Sequence, residues 1–464
     1  MTNIPNIIDG YDVAVLGAGS AGVAAAIAAA KNGAKTILIE SSATLGGDLL
    51  SGLPIDGCRS SNGEWIVGGV AREIFAECDR WNGYIGSIYD RRNIWIVMIN
   101  PNVMSLALLH KLDEYGVTIM PYTQVTDAHY QNGRIESLTL TNKTQAFTLK
   151  AKCYLDCTGD ADVATMCGVP FEMGDEEGEL QPATIVFHFR NVEPKKLLGF
   201  MLEHPENCGL GENPLMPKTA KELAQELYDL GYPKAFFSSK GPLMHNAIES
   251  EELHSCSMLA VTPNSKDGTV VTINTTRVVL KNCTDAIVLG DATLELARQV
   301  ENAAAFIIKH IPGFENAEFS GIAPRLGIRE SRRIVGEYRL SSDDVKNARK
   351  RDDGVCKGGH EVDIHGKAEK HVRFTIKDAG SYDIPLDCLL PIGVTNLMVA
   401  GRSLSSDRVA HSSARVMGTC MAMGQAVGTA AALCASQSID PRALDVQSLR
   451  QLLKEQGAIL DGTK

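Results

Sequence analysis

The sequence is poor in the features that mark several classes of protein. Aromatic residues make up only 6% of its 464 residues, and no two of its 12 cysteines form a Cys-x-x-Cys pair. Zinc ribbons and iron–sulfur sites need closely spaced thiolates, so we expect no metal site. The 45 Lys and Arg residues against 56 Asp and Glu residues leave a formal net charge of −11. Because a nucleic-acid-binding surface needs clustered cations, we expect no nucleic-acid partner.

We also expect no secretory signal. Asp9 and Asp12 precede the apolar run 13–30, whereas a signal peptide begins with Lys or Arg. The run 416–434 carries no charge over 19 residues and is long enough to span a bilayer. It is rich in Gly, Ala, Thr and Met, which favours a tightly packed buried helix. We therefore expect no membrane partner and a cytoplasmic location.

The N-terminal residues follow the order strand, glycine turn, helix and strand. The run 11–16 (YDVAVL) leads directly into 17–22 (GAGSAG), and an alanine-rich helix follows to about Lys31. A second strand, 35–39, is followed by Glu40. This order is typical of a Rossmann-like dinucleotide-binding unit. The overall composition, with 44% hydrophobic residues and 43 glycines, also fits an α/β enzyme with a large core.

Each glycine of the turn has its own role in such a unit. Gly17 permits a tight turn, Gly19 lets the backbone approach a pyrophosphate, and Gly22 lets the helix pack against the strand. Glu40 can accept hydrogen bonds from both ribose hydroxyls, which disfavours the 2′-phosphate of NADP. A second glycine pair, Gly46-Gly47, follows soon after. That pair favours FAD over NAD, because in FAD enzymes of the glutathione-reductase type the chain turns back along the cofactor there.

Further motifs occur along nearly the whole chain. In order they are 156–162 (DCTGDAD), 168–171 (GVPF), 181–184 (QPAT), 274–277 (NTTR), 312–316 (PGFEN), 329–338 (RESRRIVGEY), 363–365 (DIH) and 396–432. With these motifs the sequence resembles the FAD-dependent oxidoreductase family that is related to the fumarate reductase and succinate dehydrogenase flavoproteins and to the heterodisulfide-reductase-like flavoproteins.

The resemblance implies an α/β fold with a Rossmann-like FAD-binding domain of the glutathione-reductase type and an inserted α+β cap, or substrate, domain. The FAD-binding domain is expected to comprise residues 1–165 and 281–464, and the cap domain residues 166–280. Within the second part, residues 341–380 form a polar insertion. The stretch 341–370 is too charged for a core, so we expect it at the surface.

The resemblance also implies which residues hold FAD. They are Gly17, Gly19, Ser20, Ala21, Gly22, Glu40, Ser41, Gly46, Gly47, Asp48, Val125, Thr158, Gly159, Asp160, Gly401 and Arg402. Succinate dehydrogenases attach FAD through a His shortly after the first glycine pair, whereas no His precedes His110 here. We therefore expect non-covalent FAD. No second Gly-x-Gly-x-x-Gly is present for a nicotinamide, so the electron partner stays open.

Catalytic residues are expected near the start of the uncharged run. If residues 408–415 are already helical, Arg408, His411 and Arg415 lie within about 60° of one another on one face. Two cations beside an imidazole suit oxyanion binding and proton transfer, although a solvated positive face is the alternative. His365 is a second candidate, with an ordinary surface histidine as its alternative. Arg329 flanks Glu330, where a structural ion pair is the more common arrangement.

These features predict an FAD-dependent oxidoreductase that transfers a hydride between flavin N5 and a small organic substrate of anionic or polar character. The cap region should shape specificity, and a homo-oligomer is compatible with the sequence. One alternative is an electron-transfer subunit that passes electrons to partner proteins. Another is a non-redox enzyme that uses flavin. A flavin-dependent nucleic-acid modifier is disfavoured by the net charge.

Overall fold

A seven-stranded sheet forms the centre of the fold. The computed structural model describes residues 6–212, 214, 217–366 and 371–462. In spatial order, the strands are Thr118–Met120, Thr36–Ile39, Ile7–Leu16, Ala146–Asp156, Arg134–Thr141 and Gln124–Gln131, with Leu397–Val399 paired to the end of Ala146–Asp156. The first four strands and Leu397–Val399 are mutually parallel. This confirms the predicted α/β fold with a Rossmann-like parallel sheet.

Two long helices pack against each other above this sheet. The first helix is Ser20–Lys31, and the second, here called the closing helix, is Met417–Gln437. A Cβ atom at Gly424 would overlap the carbonyl oxygen of Ala21, and one at Gly428 would overlap that of Ala25. The two backbones are therefore in direct contact, which explains why the uncharged run contains so much Gly and Ala.

Substitution of Gly428 tests this contact. We expect Gly428→Ala to lower the free energy of unfolding by about 1–3 kcal/mol, because a methyl group must push the two helices apart. Gly290 lies inside the helix Ala286–His310 with nothing within 4 Å of a Cβ position. As the matched control, Gly290→Ala should be neutral or stabilising by up to about 1 kcal/mol. Thermal unfolding at a fixed FAD concentration measures both effects, and equal melting temperatures for the two variants would contradict the contact.

A second, antiparallel sheet, here called the cap sheet, lies against the first part of the fold. Its strands are, in spatial order, Ala235–Ser238, Met258–Pro263, Val271–Asn274, Phe187–Arg190 and Glu318–Ile322. Leu259 and Val261 join a hydrophobic core with helices on one face. Met258, Ala260 and Thr262 line a cavity on the other. This alternation follows from the two-residue period of a strand.

The core behind the cap sheet extends past residue 280. Its helices are Pro194–Glu203, Ala220–Leu230, Pro242–Glu249 and Ala286–His310. Leu296, Phe306 and Ile307 of the last helix are buried in this core. The expected division at residue 280 would assign that helix to the FAD-binding part, whereas the structure packs it with the cap sheet. The apolar side of this helix packs against the cap sheet. The motifs from which the domain boundary was predicted do not show on which sheet the helix packs.

The polar insertion is not confined to the surface. The strand Gly354–Gly358 is fully buried and pairs with Tyr382–Pro385. Lys357 is only 1% exposed, and its Nζ lies 2.6 Å from Oδ1 of Asp383. The expectation that a charged stretch must lie at the surface fails here because the buried cation has a buried partner. A hairpin of Val362–His365 and His371–Phe374 follows; residues 367–370 of the expected surface stretch lie outside the described residues.

The remaining elements connect these layers. The helices are Val70–Arg80, Pro101–Glu114, Asp162–Met166, Ser342–Lys346, Arg408–Ala414 and Val446–Glu455. The short strands are Ile55–Asp56, Tyr84–Tyr89 and Trp95–Ile99, which form one sheet, and the pair Phe171–Glu172 and Arg333–Ile334. Among the described residues, the closing helix is the one that by length and composition would suffice to cross a membrane, and 83% of its apolar window is buried inside the protein.

Candidate functional site

A cavity of about 450 Å³ opens between the parallel strands and the cap sheet. Leu16 and Ile39 end two of the parallel strands, Ala400 follows a third, and all three residues line the cavity. Doubly wound α/β proteins bind their ligands at this carboxyl edge of the sheet. The cap sheet closes the opposite side with Ala260 and Thr262.

The glycine turn offers an anion site at one part of this cavity. The first helix begins after Gly19, with no side-chain cap and no acidic residue in its first turn. Its N-terminal N–H groups are therefore available to a phosphate. A Cβ at Gly19 would meet nothing within 4 Å, whereas one at Gly22 would overlap the Gly17 carbonyl oxygen. Gly19 thus leaves a space that a side chain would fill, and Gly22 permits helix packing.

Glu40 closes the other side of the turn. One carboxylate oxygen accepts the Ala18 N–H at 2.7 Å, and the other accepts the Ser42 N–H at 2.8 Å. Glu40 also lines the cavity, so it is placed to accept ribose hydroxyls. Further along, Nη2 of Arg402 donates to Oδ1 of Asp160 at 2.7 Å, and both residues line the same cavity.

The structure brings together most of the residues expected to hold FAD. Those that line the cavity are Gly17, Gly19, Ser20, Ala21, Glu40, Ser41, Asp48, Val125, Thr158, Gly159, Asp160, Gly401 and Arg402. Gly22, Gly46 and Gly47 do not. Gly46 and Gly47 both have positive φ, and a Cβ at Gly47 would stand 3.0 Å from the Gly19 Cα. Their role is to bring the chain past the turn, since other residues would be strained there.

The expected catalytic helix is broken into two. A short helix spans Arg408–Ala414, and the closing helix begins at Met417. Between them, Val416 has φ −70° and ψ 153°, which is extended backbone. Val416, Met417 and Cys420 line the cavity. The helix N-terminus at the cavity is therefore the one at Met417, and it has neither a side-chain cap nor an acidic residue in its first turn.

This break moves two of the expected catalytic residues away from the cavity. His411 is fully buried, and its Nε2 lies 2.8 Å from the Arg402 carbonyl oxygen. Burial, followed by the charge of Arg333, holds the pKa of His411 well below its ordinary value. Arg408 lies 3.1 Å from Oε2 of Glu330 and 3.1 Å from Oδ2 of Asp175. Neither side chain is among those that line the cavity, because both point from the short helix into buried polar contacts.

The other two expected catalytic residues do line the cavity. Nη2 of Arg415 donates to Oε1 of Gln181 at 3.2 Å, while its buried Nε has no hydrogen-bond partner. The Nε2 of His365 lies 3.1 Å from Oδ2 of Asp363. Both side chains face the space between the closing helix and the cap sheet.

Three arginines meet at this part of the cavity, here called the guanidinium cluster: Arg277, Arg329 and Arg415. Arg329 donates to the Pro182 carbonyl oxygen, and Arg277 donates to the Ser257 hydroxyl at 2.8 Å. Burial, followed by the charges of Arg415 and Arg277, lowers the pKa of Arg329 to about 9. The cluster concentrates positive charge in one part of the cavity, with Asp363 as a common counter-charge to Arg329 and Arg415, and such a cluster suits an anionic ligand. Arg329 does not form the ion pair with Glu330 that was expected from the sequence as the more common arrangement. Glu330 instead accepts hydrogen bonds from Arg333 and Arg408.

Sequence reasoning missed several charged residues of the cavity, among them Asp56 and Lys234. Asp56 ends a two-residue strand, and its buried Oδ1 accepts no hydrogen bond. Lys234 is 1% exposed, and its Nζ donates to Oγ1 of Thr262 at 2.7 Å. The one available signal was a single Lys placed directly before the apolar run Ala235–Phe237. For Asp56 the sequence contains no comparable signal.

The residues at this site fit FAD. The open position at Gly19 and the uncapped N-terminus of the first helix provide a phosphate site. Glu40 provides an acceptor for ribose hydroxyls, and the uncapped N-terminus of the closing helix provides a second dipole that stabilises negative charge. All of these features surround one cavity. These are the groups that a flavin dinucleotide requires.

Comparison with known proteins agrees with this fit. The family model described as FAD dependent oxidoreductase matches residues 12–453. The tRNA uridine 5-carboxymethylaminomethyl modification enzyme MnmG of Streptococcus pyogenes is 32% identical over 158 residues, covering 31% of this chain and 23% of that enzyme. The chain thus matches less than a quarter of the length of this curated relative.

Two solved structures show a general similarity. The flavin-dependent brominase Bmp2 has a TM-score of 0.47 at 14% identity, covering 96% of this chain and 83% of that chain. The p-nitrophenol 4-monooxygenase PnpA from Pseudomonas putida DLL-E4 has a TM-score of 0.45 at 10% identity, covering 97% and 86%.

Proposed function

Because the chain belongs to the family of FAD-dependent oxidoreductases, we propose that it is an enzyme that oxidises or reduces a small organic carboxylate. The observation that carries the proposal is that the guanidinium cluster lines the same cavity as the glycine turn. A cofactor bound at the turn and an anion bound at the cluster would share one space.

Residues of the central sheet would hold the cofactor. The turn at Gly17–Gly19 and Glu40 would take the adenosine diphosphate half. Asp160, Arg402 and the start of the closing helix would lie along the flavin half. When bound non-covalently in this way, FAD supplies two-electron chemistry, with hydride exchange at N5.

The guanidinium cluster would bind and orient the substrate. A guanidinium presents a planar fork that can hold both oxygens of a carboxylate. Arg329 and Arg415 come from different segments, so an anion between them is held from two directions. Burial, and after it the repulsion from Arg415, lowers the pKa of Arg329, and this repulsion is relieved when a negative charge binds. Residues of the cap sheet line this cavity together with the cluster, and partial removal of the guanidinium groups from water strengthens the ion pairs that they form.

Replacement of Arg329 tests the anion site. With the FAD-loaded enzyme we expect at least one of acetate, succinate and phenylacetate to bind and to perturb the flavin absorbance. Arg329→Met should weaken that binding about 10- to 100-fold, since a charge-assisted hydrogen bond contributes about 1.5–3 kcal/mol. Arg329→Lys, which keeps the charge, should lose less.

Arg298→Met is the matched control, because Arg298 is a surface residue with 70% of its side chain exposed. It should bind the acids as the unmodified enzyme does. If the enzyme binds none of the three acids, the proposal fails and the electron-transfer alternative gains support. If Arg329→Met binds them unchanged, the anion site is elsewhere.

A further inference from the structure

A second group of charged side chains lines the cavity beside the guanidinium cluster. It comprises Asp56, Asp90, Lys234, His360 and Asp363. Oδ1 of Asp90 accepts the backbone N–H groups of Arg92, Asn93 and Ile94, so its position is fixed by the local turn. Asp363 contacts Arg373 and His365. These two carboxylates therefore already have interaction partners within the protein.

Asp56 differs from its neighbours. Its Oδ1 is buried without a hydrogen-bond partner, and its Oδ2 lies 3.9 Å from Nε2 of His360, beyond hydrogen-bond distance. A buried carboxylate oxygen without a partner is costly. Asp56 also lines the cavity with 27% of its side chain exposed, so a ligand would reach the carboxylate through Oδ2, which accepts no hydrogen bond from His360.

Lys234 is held in place near Asp56. Its ammonium group donates to Thr262 and stands 4.3 Å from the centroid of the Phe236 ring. Burial raises the pKa of Asp56 to about 7. The negative charges of Asp90 and Asp363 also raise this pKa, whereas the positive charges of Lys234 and Arg415 lower it. Burial likewise lowers the pKa of Lys234 to about 8, opposed by the charges of Asp90 and Asp56. A carboxyl group in this setting can gain or lose a proton near neutral pH.

Building on the proposed function, we propose that Asp56 is a catalytic residue that exchanges a proton with a hydroxyl group of the substrate, which makes the substrate a hydroxy carboxylate. Its carboxylate would lie against Arg329 and Arg415, and its hydroxyl group against Oδ2 of Asp56. Oxidation of the alcohol carbon then forms a carbonyl group. The O–H proton passes to Asp56, and the carbon-bound hydrogen leaves with its electron pair to FAD as the oxidant. Lys234 is a positioning residue that acts through the charge of Asp56.

The charges around Asp56 favour a hydroxyl group over an amine. A substrate ammonium group would be repelled by Lys234 and by the guanidinium cluster. A hydroxyl group is neutral and does not meet this repulsion. It also needs a base for its oxidation, because its own pKa lies far above neutral, and the Asp56 carboxylate lines the cavity with Oδ2 beyond hydrogen-bond distance of His360.

Matched pairs of acids test the proposal on the FAD-loaded enzyme. The pairs are glycolate and acetate, malate and succinate, and mandelate and phenylacetate, and binding is followed by flavin absorbance. In at least one pair the hydroxy acid should bind about tenfold more tightly, corresponding to about 1.4 kcal/mol for one hydrogen bond to a charged group. Asp56→Ala should bring this ratio close to one without weakening the simple acid. The exposed carboxylate Asp113 provides the control variant Asp113→Ala, which should keep the ratio.

Two further variants distinguish a role of Asp56 in proton exchange from a role in substrate binding alone. Asp56→Asn should still bind the hydroxy acid, but anaerobic bleaching of the flavin by that acid should slow at least 100-fold. Lys234→Met should shift the pH midpoint of bleaching upward, because it removes the charge that favours ionised Asp56. If both members of every pair bind equally, or if Asp56→Ala retains the preference, the role of Asp56 is overturned while the carboxylate site stands. If no acid binds, the proposed function itself fails.

Discussion

The variant Gly19→Val is expected to fold normally and to purify without FAD. Gly19 has φ −73° and ψ −169°, a conformation open to any residue, and its Cβ position is free of contacts within 4 Å. A valine side chain would therefore not strain the protein. It would instead fill the space in front of the first helix, where a pyrophosphate must approach the N–H groups. We expect the affinity for FAD to fall at least 100-fold, measured by titration of the apoprotein with FAD.

The melting temperature separates this effect from misfolding. The apo forms of Gly19→Val and the unmodified enzyme should melt together, and only the latter should gain stability when FAD is added. Gly199, a helical glycine in the cap region with an equally open Cβ position, gives the control Gly199→Val. That variant should retain its FAD. A yellow Gly19→Val protein with stoichiometric flavin would show that the cofactor lies elsewhere.

Binding of a carboxylate is expected to weaken as the pH rises through about 7. Asp56 is neutral below its raised pKa and negative above it. Two unit charges 6–8 Å apart interact by about 2–3 kcal/mol at an effective dielectric constant of 20. The dissociation constant of the best-bound simple acid should therefore rise tenfold or more between pH 5.5 and 8.5 (roughly two units either side of neutrality, where such acids stay ionised).

The variant Asp56→Asn identifies the titrating group. It should bind the acid with a dissociation constant near the low-pH value of the unmodified enzyme, and that constant should rise less over this pH range than it does in the unmodified enzyme. Lys234, whose pKa burial lowers to about 8, and His360 also line the cavity, and loss of their positive charge would weaken binding in the same direction. An unchanged pH dependence in Asp56→Asn would therefore assign the titration to Lys234 or His360 and contradict the role given to Asp56.

The first part of the fold could be predicted because its information is local. One short segment contains the strand, the glycine turn, the first helix and Glu40. Each residue type in it is required by one feature of the local geometry. The long resemblance to FAD enzymes extended this prediction to the cofactor, which the family match confirms. The assignment of individual residues to FAD stays a prediction that the Gly19 variant can test.

The catalytic side could not be predicted in the same way. No proline or glycine marks the break at Arg415-Val416, and the residues on both sides are compatible with a continuous helix. The extended conformation of Val416 turns His411 and Arg408 inward and points the closing helix at the cavity. Asp56 and Lys234 come from segments far apart in the chain. Their proximity depends on how the cap sheet lies against the three-stranded sheet that contains Ile55–Asp56, which no local pattern encodes.

The most direct test is a crystal structure of the FAD-loaded enzyme soaked with its best-bound hydroxy acid. We expect the dinucleotide along the glycine turn and Glu40, and the carboxylate of the acid within about 3 Å of Arg329 and Arg415. The hydroxyl oxygen should lie at the same distance from Oδ2 of Asp56. Density for the acid outside the guanidinium cluster, with FAD in place, would contradict the proposed active site.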